Sequence, residues 1–178
     1  MSEQVIATTE KDMKRISVDK VVINIGVGKS GEPMEKAKKA LVELTGGRQP
    51  AARGAKKTVR DFGIHKGEPI GAMVTLRREP AIDFLKRVIA AKKNVLKESS
   101  FDNFGNISMG IHEHIDIPGT KYNPEIGIFG MDVNIVLVRP GYRIARKSRK
   151  RAKIGKSHRI TKEDAIAFFK EQFGAEVA

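Results

Sequence analysis

The sequence contains no cysteine and no tryptophan, and aromatic residues make up only 6% of its 178 residues. Without cysteine there can be no disulfide bond, no thiolate metal site and no cysteine nucleophile. No apolar run approaches the roughly 20 residues that are needed to cross a bilayer. The N-terminal residues also lack the apolar core of a secretory signal peptide. We therefore expect a protein of a reducing, intracellular compartment with no membrane-spanning segment.

Acidic residues are nearly missing from two short segments, and the net charge of +13 is concentrated there. Residues 139–159 hold ten Lys and Arg and no acid, and residues 48–66 hold six Lys and Arg against Asp61. The rest of the chain carries a slight negative charge. Positive charge that is localised in this way is typical of a protein that binds a polyanion. DNA, RNA and an acidic membrane surface all satisfy that description.

The longer of these segments, residues 139–159, has too little apolar surface to fold by itself. Its alanine and isoleucine residues are too sparse for a helix that lies on a membrane. Contact with the phosphate backbone of RNA or DNA explains ten cations without an anion better than general solubility does. The cations predicted to make these contacts are Arg143, Arg146, Lys147, Arg149, Lys150 and Arg151.

The length fits a single domain, 1–178, with a loosely ordered lead-in at 1–16 and a basic extension at 139–160. The predicted strands are Val18–Val27, Lys57–Phe62, Ile70–Arg77, Ile107–Ile115 and Met131–Val138. The predicted helices are Pro33–Thr45, Pro80–Lys97 and Lys162–Phe173, the last capped by Thr161. In the second helix the predicted buried residues are Ile82, Phe84, Leu85, Val88, Ile89, Ala91 and Val95. Because the strands do not alternate regularly with helices, we expect an antiparallel set.

Two of these strands alternate strictly, which predicts one face toward a core and one face away from it. In the strand at 70–77, alanine, valine and leucine share one face, while Thr75 and Arg77 lie on the other. The non-core face of the first strand carries Asn24 and Gly26. A basic, glycine-rich loop at 63–71 beside a polar sheet face suits a negatively charged partner, although an ordinary solvated hairpin explains this stretch equally well.

Gly26–Gly31, with the sequence GVGKSG, has the spacing of a dinucleotide-binding turn between a predicted strand and a predicted helix. Two observations weigh against that function. About twenty residues later, where an acidic residue should end a second parallel strand, the chain has Gly46–Pro50. The phosphate-binding P-loop pattern also fails, because it requires glycine where Ile23 stands. Nucleotide binding is therefore the alternative hypothesis, and no cofactor is predicted.

His112, His114 and Asp116 share one face of the predicted strand at 107–115 and are the residue types of a two-histidine, one-carboxylate metal site. Neighbours on a single strand diverge, however, whereas three ligands must converge on a metal ion. A hydrogen-bonded pair of structural histidines is the preferred explanation, and no metal is predicted.

Six stretches, taken in order, give the chain a resemblance to a known family. They are VVINIGVGKSG at 21–31, LTG at 44–46, KKTVRDFGIHKGEPIGAMVTLR at 56–77, FDNFGNISMGIHEHID at 101–116, YNPEIGIFGMDV at 122–133 and RPGYRIARKSRKRAKIGKSHRIT at 139–161. The chain resembles the 5S rRNA-binding proteins of the large ribosomal subunit, number five in the universal series. The basic insertion is similar to that of the archaeal and eukaryotic form, and the short C-terminus favours the archaeal one.

This resemblance implies an α+β fold: an antiparallel-rich mixed sheet, helices packed on one face, and an open face toward RNA. It implies that Asn24, Phe62 and Thr75 contact 5S rRNA and that the loop at 63–71 reaches toward peptidyl-site tRNA. The further predicted RNA contacts are Gly26, Gly28, Gln49, Arg53, Lys56, Lys57, Arg60 and Arg77, with His65, Lys66 and Gly67 facing tRNA. The stretch GGRQP at 46–50 is one residue longer than the family's usual pattern around the glutamine.

The resulting hypothesis is a non-enzymatic constituent of the large subunit, located in the cytoplasmic ribosome, that attaches 5S rRNA in the central protuberance. Its predicted partners are 5S rRNA, 23S-type rRNA, a neighbouring 5S-binding ribosomal protein, a small-subunit head protein and peptidyl-site tRNA, with no membrane. Two alternatives come from other classes: a nucleotide-dependent enzyme that uses GVGKSG, and a non-specific DNA-binding protein.

Overall fold

A computed structural model describes residues 13–178 of the chain. In chain order the elements are β1 (Ser17–Gly26), α1 (Glu32–Leu44), β2 (Ala51–Gly54), β3 (Pro69–Leu76), α2 (Glu79–Ala91), β4 (Val95–Leu96), β5 (Ile107–Ile111), β6 (Met131–Val138), α3 (Lys162–Phe173) and β7 (Glu176–Val177). Five strands form one antiparallel sheet in the order β2-β3-β1-β6-β5, while β4 and β7 pair in parallel by themselves. The predicted α+β fold class is confirmed. The predicted lead-in at 1–16 lies largely outside the described residues.

The core lies between the sheet and the α-helices, on the face that strand alternation predicts. Val21, Ile23 and Ile25 of β1 are fully buried, and Leu76 of β3 is nearly so. The intervening residues of both strands stay at least partly exposed through most of their length. Burial of an aliphatic side chain of this size stabilises the fold by about 1.5–3 kcal/mol, so the buried face fixes the register of the sheet.

Helices α1 and α3 begin and end within a residue of their predicted limits. In α1, Met34 and Leu41 are buried against the sheet. The Thr161 hydroxyl at the start of α3 accepts a hydrogen bond from the Asp164 backbone N–H at 3.3 Å. In return, the Thr161 N–H donates to the Asp164 carboxylate at 3.1 Å. Such a cap stabilises a helix by about 1 kcal/mol, and left-handed Gly174 ends α3.

Helix α2 is shorter than predicted and ends at Ala91. Lys93 and Asn94 adopt the left-handed backbone conformation, with φ angles of 56° and 60°, and the chain leaves the helix there. Val95 therefore belongs to β4 and is 44% exposed, so its assignment to the buried helical face is wrong. Ile82 is also exposed, whereas the other predicted core residues of α2 are buried or half-buried. None of the helices in the described part of the chain has the length and apolarity needed to cross a bilayer.

The predicted strand Lys57–Phe62 is wrong, because β3 pairs with the short strand β2 instead. Every residue from 56 to 62 is exposed, so its alternating pattern has no core to face. Residues 55–68 leave the sheet after β2 and return at the start of β3; we call this segment the excursion. Strand β3 begins at Pro69, so the predicted loop at 63–71 ends earlier than the glycines indicated.

Strand β5 also differs from its prediction, since it ends at Ile111. One turn of 3₁₀ helix, His114–Asp116, follows where the sequence predicted more strand. Strand β6 spans Met131–Val138 as predicted. The alternation in β6 is continuous, whereas in β5 the pattern beyond Ile111 continues by coincidence into a turn.

Candidate nucleic-acid interface

The face of the sheet opposite the core is largely polar, and we call it the open face. Its residues alternate with the buried ones and are all partly or fully exposed. They are Lys20, Val22, Asn24, Met73, Thr75, Ser108, Asp132, Asn134 and Val136. The open face therefore offers amide, hydroxyl, carboxylate and ammonium groups to a partner. The core packed against the opposite face of the sheet holds these groups in fixed positions.

Asn24 and Thr75 lie on the open face, as their alternation predicts. Asn24 in β1 stands opposite Met73 of β3 on one side and Asp132 of β6 on the other. Thr75 lies in the next row, opposite Val22. Side chains on such a diagonal are about 7–8 Å apart. An amide and a hydroxyl at that spacing can both donate and accept hydrogen bonds to one nucleotide or to two neighbouring ones.

One end of the open face deepens into a groove of about 700 Å³. Asn24, Gly26 and Asp132 line it from the sheet, and Lys92 and Lys97 line it from the connection after α2. A side chain at Gly26 would meet no atom within 4 Å, so the backbone here is open to a close partner. The groove combines positive charge with hydrogen-bonding groups, which suits a nucleotide.

The nucleotide-cofactor alternative fails on the structure of the GVGKSG turn. The backbone N–H groups of Val27 and Gly28 both donate to the Ile70 carbonyl at 2.9 Å, so they are not free for a phosphate. The strands beside the turn are antiparallel, whereas a dinucleotide-binding turn connects parallel strands through a helix. The φ of 75° at Gly28 explains a glycine there without any ligand. The turn anchors the end of the sheet from which the excursion leaves.

Glu68 ties the excursion to that same turn. Its carboxylate accepts a hydrogen bond from the His65 backbone N–H at 2.9 Å and another from the Ser30 hydroxyl. These hydrogen bonds, the one from His65 first, hold the pKa of Glu68 below its ordinary value. The charged form of Glu68 is thus the form that closes the base of the excursion.

The excursion is a narrow hairpin with Phe62 near its tip. Val59 and Ile64 exchange backbone hydrogen bonds of 2.9 and 3.1 Å, and Gly63 makes the turn between them with a φ of 63°. Phe62 is 74% exposed. An aromatic ring held out in solvent on a tight hairpin is available to stack on an unpaired base.

The predicted RNA contacts divide between the open face and the excursion. Arg53 in β2 lies at the edge of the open face, where its guanidinium donates to the Met73 sulfur at 3.3 Å. The exposed predicted residues of the excursion are Lys56, Lys57, Arg60, Phe62, His65, Lys66 and Gly67. Gln49 lines a separate groove of about 610 Å³ between α1 and the loop before β6. Gln49 therefore lies outside the groove that contains Asn24.

Residues 139–160, which we call the basic segment, are held to the rest of the chain by Arg139. This side chain is only 9% exposed, and its guanidinium donates to the Asp164 carboxylate at 2.9 Å. Partial burial acts to raise the pKa of Asp164. Hydrogen bonds from Thr161 and the positive charge of Arg139 outweigh it and hold that pKa below its ordinary value. The start of the basic segment is thereby fixed to the start of α3.

Tyr142 and His158 close the base of the basic segment. The Tyr142 hydroxyl accepts a hydrogen bond from the Ile160 N–H at 2.9 Å. The His158 ring donates through Nε2 to the Pro140 carbonyl at 2.8 Å and packs edge-on against Tyr142. Sequence analysis indicated that the segment cannot fold alone, and the structure shows which neighbours order it. Its predicted RNA contacts are all exposed: Arg143, Arg146, Lys147, Arg149, Lys150 and Arg151.

Asp19 joins the basic segment to the end of β3. Its carboxylate lies 2.9 Å from the Arg146 guanidinium and 3.5 Å from that of Arg77. Both arginines are about half exposed, while Asp19 is 16% exposed. One acid thus holds two cations from distant parts of the sequence. No local pattern pointed to Asp19, because its position depends on an irregularity in β1 between Val18 and Lys20.

The structure does not gather the three residues of the candidate metal site. His112 and Asp116 are exposed, and among residues 13–178 no group of His, Asp and Glu is arranged to hold a metal ion. His114 is buried, and its Nδ1 accepts a hydrogen bond from the Phe129 N–H at 3.3 Å. The preferred explanation, a hydrogen-bonded pair of structural histidines, is wrong: His114 is buried and hydrogen-bonded, but His112 is exposed.

Sequence analysis also missed Ser108 and Asn134, which extend the polar row of the open face toward its edge. Their alternation within β5 and β6 could have identified them, because each stands between buried neighbours.

Two family models match the chain in succession. Residues 12–65 match the model described as ribosomal protein L5. Residues 69–168, more than half of the chain, match the model that describes the C-terminus of the same ribosomal family. The boundary between the two matches falls at the end of the excursion.

Archaeal proteins named large ribosomal subunit protein uL5 are similar over nearly their whole length. The protein of Sulfolobus acidocaldarius is 54% identical over 171 residues, which are 96% of each chain. That of Nitrosopumilus maritimus is 52% identical over 171 residues, 96% of this chain and 98% of its own. That of Archaeoglobus fulgidus is 53% identical over 160 residues, 90% and 89% of the two chains. The chain therefore belongs to the ribosomal protein L5 family in its archaeal form, and it is a ribosomal protein and not an enzyme.

Proposed function

We propose that this protein, a structural constituent of the large ribosomal subunit in the cytoplasm, binds 5S rRNA through its open face and attaches it to that subunit. The observation that carries the proposal is that the open face lies between the excursion and the basic segment. The excursion leaves the sheet at the Gly26 end, and the basic segment begins at the opposite end, after Val138. Along β6 the two ends are about 20 Å apart, room for several nucleotides.

This surface offers two kinds of contact to RNA. Asn24 and Thr75 present polar groups on a rigid sheet, which can read base edges or ribose hydroxyls. Lys and Arg of the two basic segments neutralise phosphates, which supplies affinity and its salt dependence without much sequence information. Phe62 stacks on an unpaired base at the tip of the excursion. Gly26 and Gly28 give the RNA close access to the backbone.

The remaining partners are proposed from the family and from the exposure of the residues. We expect His65, Lys66 and Gly67, which are exposed on the excursion, to face peptidyl-site tRNA. The basic segment contacts either 5S rRNA or 23S-type rRNA. A neighbouring 5S-binding ribosomal protein and a protein of the small-subunit head contact surfaces outside the open face. The support for these assignments is the exposure of the residues and the family to which the chain belongs.

A competition titration tests the proposal. Labelled 5S rRNA is bound to the purified protein at about physiological salt and challenged with excess tRNA and duplex DNA. We expect the 5S complex to survive both competitors. Equal competition by every polyanion would remove 5S rRNA as the specific partner and favour the non-specific DNA-binding alternative.

Substitutions on the open face locate the contact. Asn24→Ala and Thr75→Ala each remove a polar group that faces away from the core, so we expect binding of 5S rRNA to weaken by roughly 5–30-fold with almost no change in Tm. The matched control is Gln172→Ala, an exposed polar residue on α3. If Tm falls in step with affinity, the two side chains support the core and do not bind RNA.

A further inference from the structure

A second groove lies at the other end of the open face, beside the basic segment. Its volume is about 330 Å³, at the lower limit of pockets that hold a small ligand. Val136 and Val138 of β6 line it from the sheet, Ile154 and three cations line it from the basic segment, and Phe104 lines it from the turn before β5. The cations are Arg146, Lys153 and Arg159.

Phe104 is held in solvent by the turn that carries it. The ring is 60% exposed. The Asp102 carboxylate accepts hydrogen bonds from the backbone N–H groups of Phe104 and Asn106, at 2.8 and 2.7 Å, and fixes the turn. Next to it, a Cβ at Gly105 would lie 2.4 Å from a methyl carbon of Ile160, so the turn packs directly on the end of the basic segment. The fold thus places an aromatic ring beside the cations and keeps it uncovered.

The lining of this groove selects among possible occupants. None of the residues that line it, in the described part of the chain, is acidic. Arg146 remains about half exposed although it pairs with Asp19. An apolar floor, one exposed aromatic wall and three cations match a flat, uncharged ring attached to a negatively charged chain. That is the chemistry of a single nucleotide taken out of its stack. A protein segment bound in this groove would form favourable charge contacts with the three cations only if that segment were acidic.

We propose that this groove binds one unstacked nucleotide of ribosomal RNA, with its base against Phe104 and its phosphates on Arg146 and Lys153. This inference rests on the proposed function, because it requires that the protein binds rRNA. It is distinct from the groove at Asn24, which lies at the opposite end of β6. Together with Phe62 on the excursion, Phe104 gives the protein a second aromatic contact, located on the turn before β5.

The first test compares Phe104→Leu with Tyr122→Leu in the full-length protein. Tyr122 is similarly exposed, at 58%, but lies on the loop before β6. Affinity is measured for 5S rRNA and, separately, for 23S-type rRNA over a range of salt concentrations. For one of the two RNAs, Phe104→Leu should lose roughly tenfold in affinity. The salt slope should be unchanged, because no phosphate contact is removed. Tyr122→Leu should bind as the parent protein does.

The second test is ultraviolet crosslinking of the same complexes, followed by mass spectrometry. Trypsin cuts after Lys97 and Lys121, so Phe104 lies on the peptide 98–121. We expect one nucleotide crosslinked at Phe104 in the parent protein and none on this peptide in Phe104→Leu. Unchanged affinity of Phe104→Leu for both RNAs overturns the nucleotide groove, and so does a peptide 98–121 that carries no crosslink. Those results leave the open-face proposal standing, whereas a parent protein that binds neither RNA overturns both.

Discussion

The excursion and the basic segment are both positively charged, but they differ in charge and in how they are held. Residues 55–68 hold four Lys and Arg against two acids, whereas residues 139–160 hold ten Lys and Arg and no acid. The excursion pairs with itself through backbone hydrogen bonds, such as those between Val59 and Ile64, and only its base is tied to the sheet. The basic segment is fixed by side-chain contacts: buried Arg139 pairs with Asp164, and Arg146 pairs with Asp19. One segment therefore projects from the sheet, while the other lies beside one end of the open face, next to Val136 and Val138. Charge predicts that both meet a polyanion, and their anchoring indicates how each can reach it.

Because they are anchored differently, the excursion and the basic segment are suited to different kinds of contact. A self-paired hairpin with an exposed tip can contact a partner that lies beyond the main interface, as proposed for tRNA. A segment anchored by Arg139 and Tyr142 presents its cations at fixed positions beside the sheet. Substitutions that remove charge should weaken rRNA binding in either segment, whereas substitutions that remove anchors should act on the two segments differently.

Neutralising the basic segment should give the largest effect. In a variant with Arg146, Arg149, Lys150 and Arg151 all changed to Gln, we expect rRNA affinity at physiological salt to fall on the order of a hundredfold. The slope of log affinity against log salt should become shallower by about 3, because each lost phosphate contact removes roughly 0.7–0.9 from it. The Tm should fall only slightly, because all four side chains are exposed and the one ion pair that is lost, between Arg146 and Asp19, involves a half-exposed arginine. Salt titrations of binding measure both quantities.

The control for that variant removes the same charge elsewhere. Four exposed lysines outside both segments serve: Lys39, Lys86, Lys121 and Lys170. Changed to Gln together, they should leave the slope close to that of the parent protein. If both quadruple variants change the slope equally, net charge and not the basic segment governs binding.

Removing the buried anchor should affect stability first. Arg139→Met breaks the hydrogen bond to Asp164 and frees the start of the basic segment, so we expect the free energy of unfolding to fall by about 2–3 kcal/mol. Trypsin should then cleave within 139–160 faster than in the parent protein. Arg143→Met, at an exposed position, should change unfolding by less than about 0.5 kcal/mol. Urea unfolding and timed proteolysis distinguish the two, and equal behaviour would contradict the anchoring role.

Acid should loosen the same anchor. The pKa of Asp164 is held below its ordinary value, so its carboxylate binds a proton more weakly in the folded state than in the unfolded state. The resulting stabilisation is present at neutral pH and is lost as the pH falls below about 4. Urea unfolding at a series of pH values should show this loss. In Asp164→Asn the decline over that range should be smaller, and an identical decline would show that other carboxylates cause it.

The excursion should show the smallest and most local response. Because the pKa of Glu68 is also lowered, its bonds to His65 and Ser30 persist at neutral pH and open as the pH falls below about 4. We expect the chemical shift of the His65 amide to report this step by NMR, with little change in global unfolding. Glu68→Gln should abolish the step. Retention of the step in that variant would contradict the assignment to Glu68.

The sequence correctly predicted those elements in which the residues with an apolar pattern are the ones that the structure buries. In β1, β3 and β6 the alternation is enforced by a core, and α3 begins at a cap that is visible as Thr161. The prediction failed where an alternating pattern does not pack against a core, as in Lys57–Phe62, whose residues are all exposed. It also failed where backbone conformation decides, as at Lys93 and Asn94 at the end of α2.

For the candidate site, the exposed positions of Asn24, Thr75 and the basic residues could be predicted from alternation and charge. The contacts of Asp19 and Arg139 could not, because each depends on residues more than twenty positions away. The groove beside Phe104 likewise requires three separate segments to meet. Long-range packing of this kind leaves no local pattern in a sequence.

The order of strands in the sheet sets the timing of folding during synthesis. Strand β1 lies between β3 and β6, and Ser17 pairs with Val138. The β1–β3 pair can form once Leu76 has left the exit tunnel, but the opposite edge of β1 has no partner until about 60 further residues emerge. At 5–20 residues per second that interval lasts roughly 3–12 s. Throughout it a nascent chain leaves one edge of β1 unpaired, and an unpaired strand edge is a site where another chain can add a strand.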